Sequence, residues 1–129
     1  MSDLMKTMAA SASGMEAQSA RLRVVSENIA NADTPGYRRK LMPFEAFAAA
    51  PQVEGVRAGR VQLDRTELTQ VYDPAHPMAG ADGMYDGSNV NLMIEMADAR
   101  EAQRSYEANL RLFDQARQMT SAVLELLRR

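Results

Sequence analysis

From Asn91 to Arg129 the chain contains neither glycine nor proline. Nothing there interrupts an α-helix, which would run for roughly 55 Å at 1.5 Å per residue. Asn91 is the expected N-cap, because its side chain can accept from an orphan amide two or three residues on. One apolar stripe runs Met96, Ala99, Tyr106, Leu110, Phe113, Leu124, Leu127, and an adjacent one runs Ala102, Leu112, Ala116, Met119, Val123, Leu126. Together they form a face wider than one partner helix covers, above all toward the C-terminal end. Glu107 and Arg111 stand four apart in the orientation that favours an ion pair. Arg128 and Arg129 complement the negative end of the helix dipole.

A second helix is expected from about Asp3 to Asn31. Met8, Met15, Leu22 and Ile29 recur every seven residues, with Leu4 and Val25 on the neighbouring stripe, which Ser11 and Gln18 interrupt. That spacing approaches a coiled-coil seam. Alanine and serine fill much of the remainder and permit close backbone approach. Pro35 ends the helix, since it lacks an amide proton and drives Thr34 out of the α region. Thr34-Pro35-Gly36-Tyr37 then reads as a type II turn, with glycine supplying the positive φ at its third position.

All five prolines lie between these two segments, where helical periodicity is lost. Val61-Gln62-Leu63 alternates as a short strand would, as do Val53 and Val56 around Gly55. Asp73 to Pro77 and Asp82 to Gly87 are rich in turn residues. The expected organisation is an N-terminal helix over 1–33, an irregular, partly β insert of low intrinsic order over 34–88, and a C-terminal helix over 89–129. The fold class is mainly α, with the two long helices packed as an antiparallel, coiled-coil-like hairpin. Such a hairpin leaves Leu112, Val123 and Leu126 partly wet, so other protein chains are expected to cover them. The ten methionines and the aromatic content of only 5% suit adaptable helix contacts rather than a rigid core. The chain reads as an assembly subunit, less helical alone than its pattern indicates.

Chemistry is hard to place on this sequence. Fifteen basic against seventeen acidic residues give a net charge of −2, which argues against a nucleic-acid binder. The absence of cysteine removes disulfides, thiolate metal sites and thiol nucleophiles. The one histidine, His76, lies between Pro74 and Pro77 and reads as a surface loop residue. Counted from Asp82 as a calcium loop, position 3 is Met84 and position 12 is Met93, so the ligands are wrong. Tyr37-Arg38-Arg39-Lys40 reads as a solvated or inter-subunit basic patch. No catalytic, cofactor-binding or metal-ligating residue is expected. No run approaches the length of a membrane-spanning helix, and Asp3 spoils the basic region of a cleaved leader.

Three stretches carry a resemblance. Ser26 to Tyr37 is similar to the N-terminal signature of the flagellar rod and hook proteins, matched at Asn28, Asn31, Thr34, Gly36 and Tyr37 around Pro35. Val71 to Ala79 with Asp82-Gly83 resembles a proximal-rod segment, matched at Tyr72, Pro74 and Pro77. Asn89 to Asn91, Glu95-Met96 and Arg104 to Asn109 resemble the opening of that protein's C-terminal helix. Two features depart from it. The compact Thr34–Tyr37 turn is also usual in a sister rod protein, and Ser88 and Asn91 stand where proline and aspartate are common. The sister protein and a soluble helical-hairpin adaptor remain the alternatives.

The resemblance implies a subunit of the bacterial flagellar proximal rod, a helical tube that transmits torque across the periplasm. It implies export by the flagellar type III apparatus without a cleaved signal, no cofactor, no nucleic acid and no membrane insertion. Implied partners are copies of the chain, the rod proteins FlgB, FlgF and FlgG, the rod–ring adaptor FliE and the membrane ring protein FliF. The motif residues above, together with Tyr106, Leu110, Phe113 and Leu124, are then the expected assembly residues.

Overall fold

The computed structural model describes residues 2–129. Helix α1 spans Asp3–Ala30 and opens on Ser2, whose hydroxyl accepts from the Met5 amide at 3.2 Å. It stops where Pro35 requires. The Tyr37 amide donates to the Thr34 carbonyl at 3.1 Å, and Gly36 has φ +76°, the turn expected from the sequence. Helix α2 spans Leu92–Leu127, and the Asn91 side chain accepts from the Met93 amide at 3.0 Å. Both helix spans agree with the sequence pattern to within a residue or so. The Glu107–Arg111 ion pair does not form, and the nearby pair is Asp114 with Arg117 at 3.6 Å.

The helices run antiparallel. Gly14 lies against Asn109, Arg21 against Glu101, and Asn28 against Glu95. The buried side chains between them are small or polar: Ala17, Val24, Val25 and Asn28 from α1, with Glu95, Ala102 and Ala116 from α2. This corrects the seam expected from Met8, Met15, Leu22 and Ile29, which are half-buried or exposed. Close approach is the physical reason. A Cβ added at Gly14 would sit 2.8 Å from the side-chain amide of Asn109, which already fills the space between the helices at that level. The bulky residues of α2 are displaced outward, and Leu110, Leu112, Met119 and Val123 are exposed.

The insert is more regular than expected. It forms three antiparallel two-stranded sheets: β1 (Lys40–Leu41) with β4 (Gln62–Leu63), β2 (Phe44–Ala50) with β3 (Val53–Ala58), and β5 (Gln70–Tyr72) with β6 (Met84–Asp86). The strands anticipated around Val53–Val56 and Val61–Leu63 are present. β2 was not legible, because Phe-Glu-Ala-Phe-Ala-Ala-Ala has no β-branched residue; pairing with β3 imposes its conformation. β3 packs on α1, where the Val56 amide donates to Ser13 Oγ at 3.2 Å and Val53 is buried. Of the strands, β1, β2 and β3 touch α1, and none touches α2.

The helices differ in length, 28 residues against 36. Extending the pairing through Gly14–Asn109 brings Asp3 level with Thr120. Ser121 to Leu127 therefore project past the start of α1.

Candidate assembly site

The two largest fully buried side chains are Asn28 and Glu95, at 1% and 0% exposure. A buried carboxylate needs a cation or donors to replace its water, and here it has both. Glu95 Oε1 accepts from Arg39 Nε, and Oε2 accepts from Asn28 Nδ2 at 3.3 Å. Arg39 Nη2 reaches Asp98 Oδ2 at 2.9 Å, and Nη1 lies 3.9 Å from Asp64 Oδ2. One guanidinium thus joins the first turns of α2 to the insert.

Asn28 uses its full hydrogen-bonding capacity. Its Oδ1 accepts from the Tyr37 hydroxyl at 2.8 Å and the Lys40 amide at 2.9 Å; its Nδ2 donates to the Lys40 carbonyl at 3.0 Å as well as to Glu95. Asn31 Nδ2 donates to the Glu27 carbonyl at 2.8 Å, and the Thr34 hydroxyl donates to Asn31 Oδ1 at 3.1 Å. The Gly36 amide donates to the carbonyls of Asp86 and Gly87 at 3.2 and 3.1 Å. The Asn89 side chain accepts from the Arg39 amide and donates to the carbonyls of Asp64 and Thr66. We call this cluster the clasp.

Electrostatics follow the contacts. Burial holds the Tyr37 phenol above its ordinary range. The hydrogen bond to Glu27 raises the Lys40 ammonium, and the bonds from the Thr66 hydroxyl and amide hold the Asp64 carboxyl below the usual carboxylate range, helped by Arg39 and Arg38. The basic patch, read from the sequence as solvated or inter-subunit, finds partners within the chain. Arg39 is committed to Glu95 and Asp98, Lys40 lies 2.7 Å from Glu27, and Arg38 donates to the carbonyls of Asp64 and Thr66.

The structure therefore brings Asn28, Asn31, Thr34, Pro35, Gly36 and Tyr37 together at one junction. It does not bring the other expected assembly residues there. Tyr72, Pro74 and Pro77 lie exposed along β5 and the following turn. His76 stacks on Tyr85 at 3.9 Å between ring centres, in the loop where it was expected. Tyr106 and Phe113 are half-buried and line a groove of about 500 Å³ between the helices, with Met15 and Ala20. Leu110 and Leu124 are exposed, and Leu124, Leu126 and Leu127 in the overhang reach 58%, 68% and 78%.

Sequence reasoning missed Glu95, Arg39, Asp98 and Asn89 as one cluster. A signal existed for Glu95: it is a lone charge within Leu92, Met93, Ile94 and Met96. Among the described residues no helix is long and apolar enough to cross a membrane, and no group of acidic or histidine side chains is arranged to hold a metal ion.

The two helical segments and the clasp are also where known families match. Residues 8–38 match the family described as "Flagella basal body rod protein", and residues 81–126 match "Flagellar basal body rod FlgEFG protein C-terminal". The fold and these matches define a structural subunit of the flagellar basal-body rod. Similarity to single proteins narrows the class. The chain is 47% identical to the flagellar basal-body rod protein FlgC of Agrobacterium fabrum, over 90% of this chain and 89% of that protein. It is 35% identical to that of Salmonella typhimurium, over 88% and 90%, and 32% identical to that of Bacillus subtilis, over 90% and 93%. The chain belongs to the FlgC family.

Proposed function

We propose that the chain is a proximal-rod subunit whose outward helical face is completed by neighbouring subunits in a helical tube that carries torque across the periplasm. The observation that carries this reading is the overhang of α2. Val123, Leu124, Leu126 and Leu127 are exposed on a helix that has run past α1, its only partner element among the described residues. Apolar area of this extent is stabilised by removal from water, at roughly 25 cal/mol per Å². Head-to-tail contacts of one patch with a different patch repeat along a lattice, which suits a rod.

In this reading the seam continues between copies as a coiled-coil-like contact, and Leu110 and Leu124 are contact residues. Tyr106 and Phe113 shape the groove beside them, and the exposed Tyr72–Pro77 turn meets a different neighbour. Copies of the chain, FlgB, FlgF, FlgG, the adaptor FliE and the ring protein FliF are the proposed partners. The subunit passes through the flagellar type III apparatus with its helices unfolded and orders them on arrival. Ordering about 60 helical residues costs on the order of 60–120 kcal/mol of backbone entropy, which the neighbours' burial helps offset.

Leu124→Asp is the test. It should abolish rod assembly and swimming by placing a charge in a desolvated contact, while the helix content of the isolated chain is unchanged. Normal swimming by cells whose only copy carries Leu124→Asp would overturn the reading.

A further inference from the structure

The helix seam is poor in register information. Its heptad positions on α2 are Glu95, Ala102, Asn109 and Ala116; facing them on α1 are Asn28 against Glu95, Arg21 near Asp98 and Glu101, and Gly14 against Asn109. A slip of seven residues would set Ala102 or Ala116 over Gly14, where each is smaller than the Asn109 now there. At Ala102 and Ala116 the small side chains resist such a slip weakly, and the larger Tyr106 and Phe113 only flank the seam, half-buried along its groove. Arg21 pairs with Asp98 and Glu101 at 3.6 and 3.4 Å, but at a level open to water, where an ion pair resists a slip weakly. Only one level holds fully buried polar groups: Asn28, with four hydrogen bonds, and Glu95, with Arg39 and Asn28 on its two oxygens.

We propose that Asn28, Arg39 and Glu95 form a register lock, which selects one axial alignment of α1 and α2 from several that the small-residue seam accepts. Buried polar groups fix register in this way when the surrounding packing is permissive. A slip of one heptad would move the end of α2 by roughly 10 Å. The lock therefore also sets how far Val123 to Leu127 project. The inference concerns alignment within one copy and does not depend on what covers the overhang.

Disulfide trapping tests it, and the chain has no cysteine of its own. A Cβ at position 14 lies 2.8–2.9 Å from the side-chain amide of Asn109, so Gly14→Cys with Asn109→Cys can bridge in the observed register. Gly14→Cys with Ala102→Cys, or with Ala116→Cys, reports the slipped registers; both carry Asn109→Ala to clear space. With the lock intact, oxidation of the full-length chain should favour the 14–109 bridge by about tenfold or more, the ratio one charge-assisted hydrogen bond sets. Replacing the lock by apolar residues of similar size, Asn28→Leu with Arg39→Met and Glu95→Met, should keep helix content but raise the 14–102 or 14–116 bridge to a comparable yield. If that variant loses its helices, Glu95→Gln decides, and slipped bridges should rise severalfold in it. Exclusive 14–109 bridging in a folded lock variant, or in Glu95→Gln where that decides, would overturn the proposal. Equal bridging at all three positions with the lock intact would overturn it too.

Discussion

At one end of the helix pair a carboxylate and an amide are sealed from solvent; at the other, four large aliphatic side chains stand in it. The clasp end satisfies its polar groups within one chain, down to both lone pairs of Asn28 Oδ1. The overhang end has no element of its own chain opposite it. Apolar side chains stand in solvent beside the clasp too, at Leu92, Met93, Ile94 and Met96, so the two ends differ in their polar groups rather than in exposed apolar area. Where three segments converge, the backbone supplies donors and polar side chains go in. Where α1 runs out, apolar side chains stay out. The contrast teaches that a single copy satisfies its buried polar groups by itself, while its apolar helix surface is left open along α2, most of all in the overhang.

Breaking each end separately gives the largest contrast. Arg39→Ala leaves Glu95 buried without its cation and should cost about 3–5 kcal/mol, read by urea denaturation of the isolated chain. Leu126→Ser in the overhang should change the same quantity by less than about 0.5 kcal/mol. In cells the order should invert at the overhang, with Leu126→Ser weakening rod assembly despite its neutral effect on the isolated chain. A destabilisation from Leu126→Ser as large as that from Arg39→Ala would show that the overhang is folded onto its own copy in solution.

A smaller effect probes one bond of the clasp. Tyr37→Phe removes the hydroxyl that Asn28 Oδ1 accepts at 2.8 Å and should cost about 1 kcal/mol at neutral pH. The phenol's proton is held more tightly folded than unfolded, chiefly through burial. The folded state therefore binds more protons than the unfolded state above the ordinary phenol value, and none extra below it. Stability from this group is complete below about pH 10 and declines as pH rises through the higher folded value. Tyr37→Phe should flatten that alkaline decline, measured as the denaturation midpoint from pH 9 to 11. An unchanged decline would place its cause in another group.

The same contrast explains what the sequence could reveal. Helix boundaries and the Thr34–Tyr37 turn were legible because Pro35, Gly36, Asn91 and the glycine- and proline-free tail act locally. The exposure of Leu112, Val123 and Leu126 was legible from the width of the apolar face; that α2 runs past the start of α1 was not. The seam was not. A heptad of Met8, Met15, Leu22 and Ile29 looks like a contact stripe, yet the face that meets α2 runs through Gly14, Arg21 and Asn28 instead. The clasp was hidden for another reason. Arg39 and Glu95 are 56 residues apart, and the insert has to fold back before they meet. Asn28, Asn31, Thr34, Gly36 and Tyr37 were visible as a pattern, but the pattern did not show that they bond to one another and to the start of α2.

The smallest predicted effect lies between the two ends, in the hairpin on α1. Ala50 pairs with Val53, so Pro51 and Gln52 form a two-residue turn, and Gln52 has φ +62°. Proline fixes a negative φ at the first turn position, which leaves the positive φ to the second. A Cβ in that region costs about 1 kcal/mol, and glycine avoids it at some entropic cost in the unfolded chain. Gln52→Gly should therefore stabilise the isolated chain by about 0.5 kcal/mol in urea denaturation. Made again in the Arg39→Ala background, it sharpens the comparison. An equal gain in both backgrounds would show that the hairpin holds to α1 through Val56 and Ser13 independently of the clasp. A gain that vanishes without Arg39 would show that the clasp end also orders the hairpin, and would extend the self-sufficient part of the molecule along α1 to Ser13.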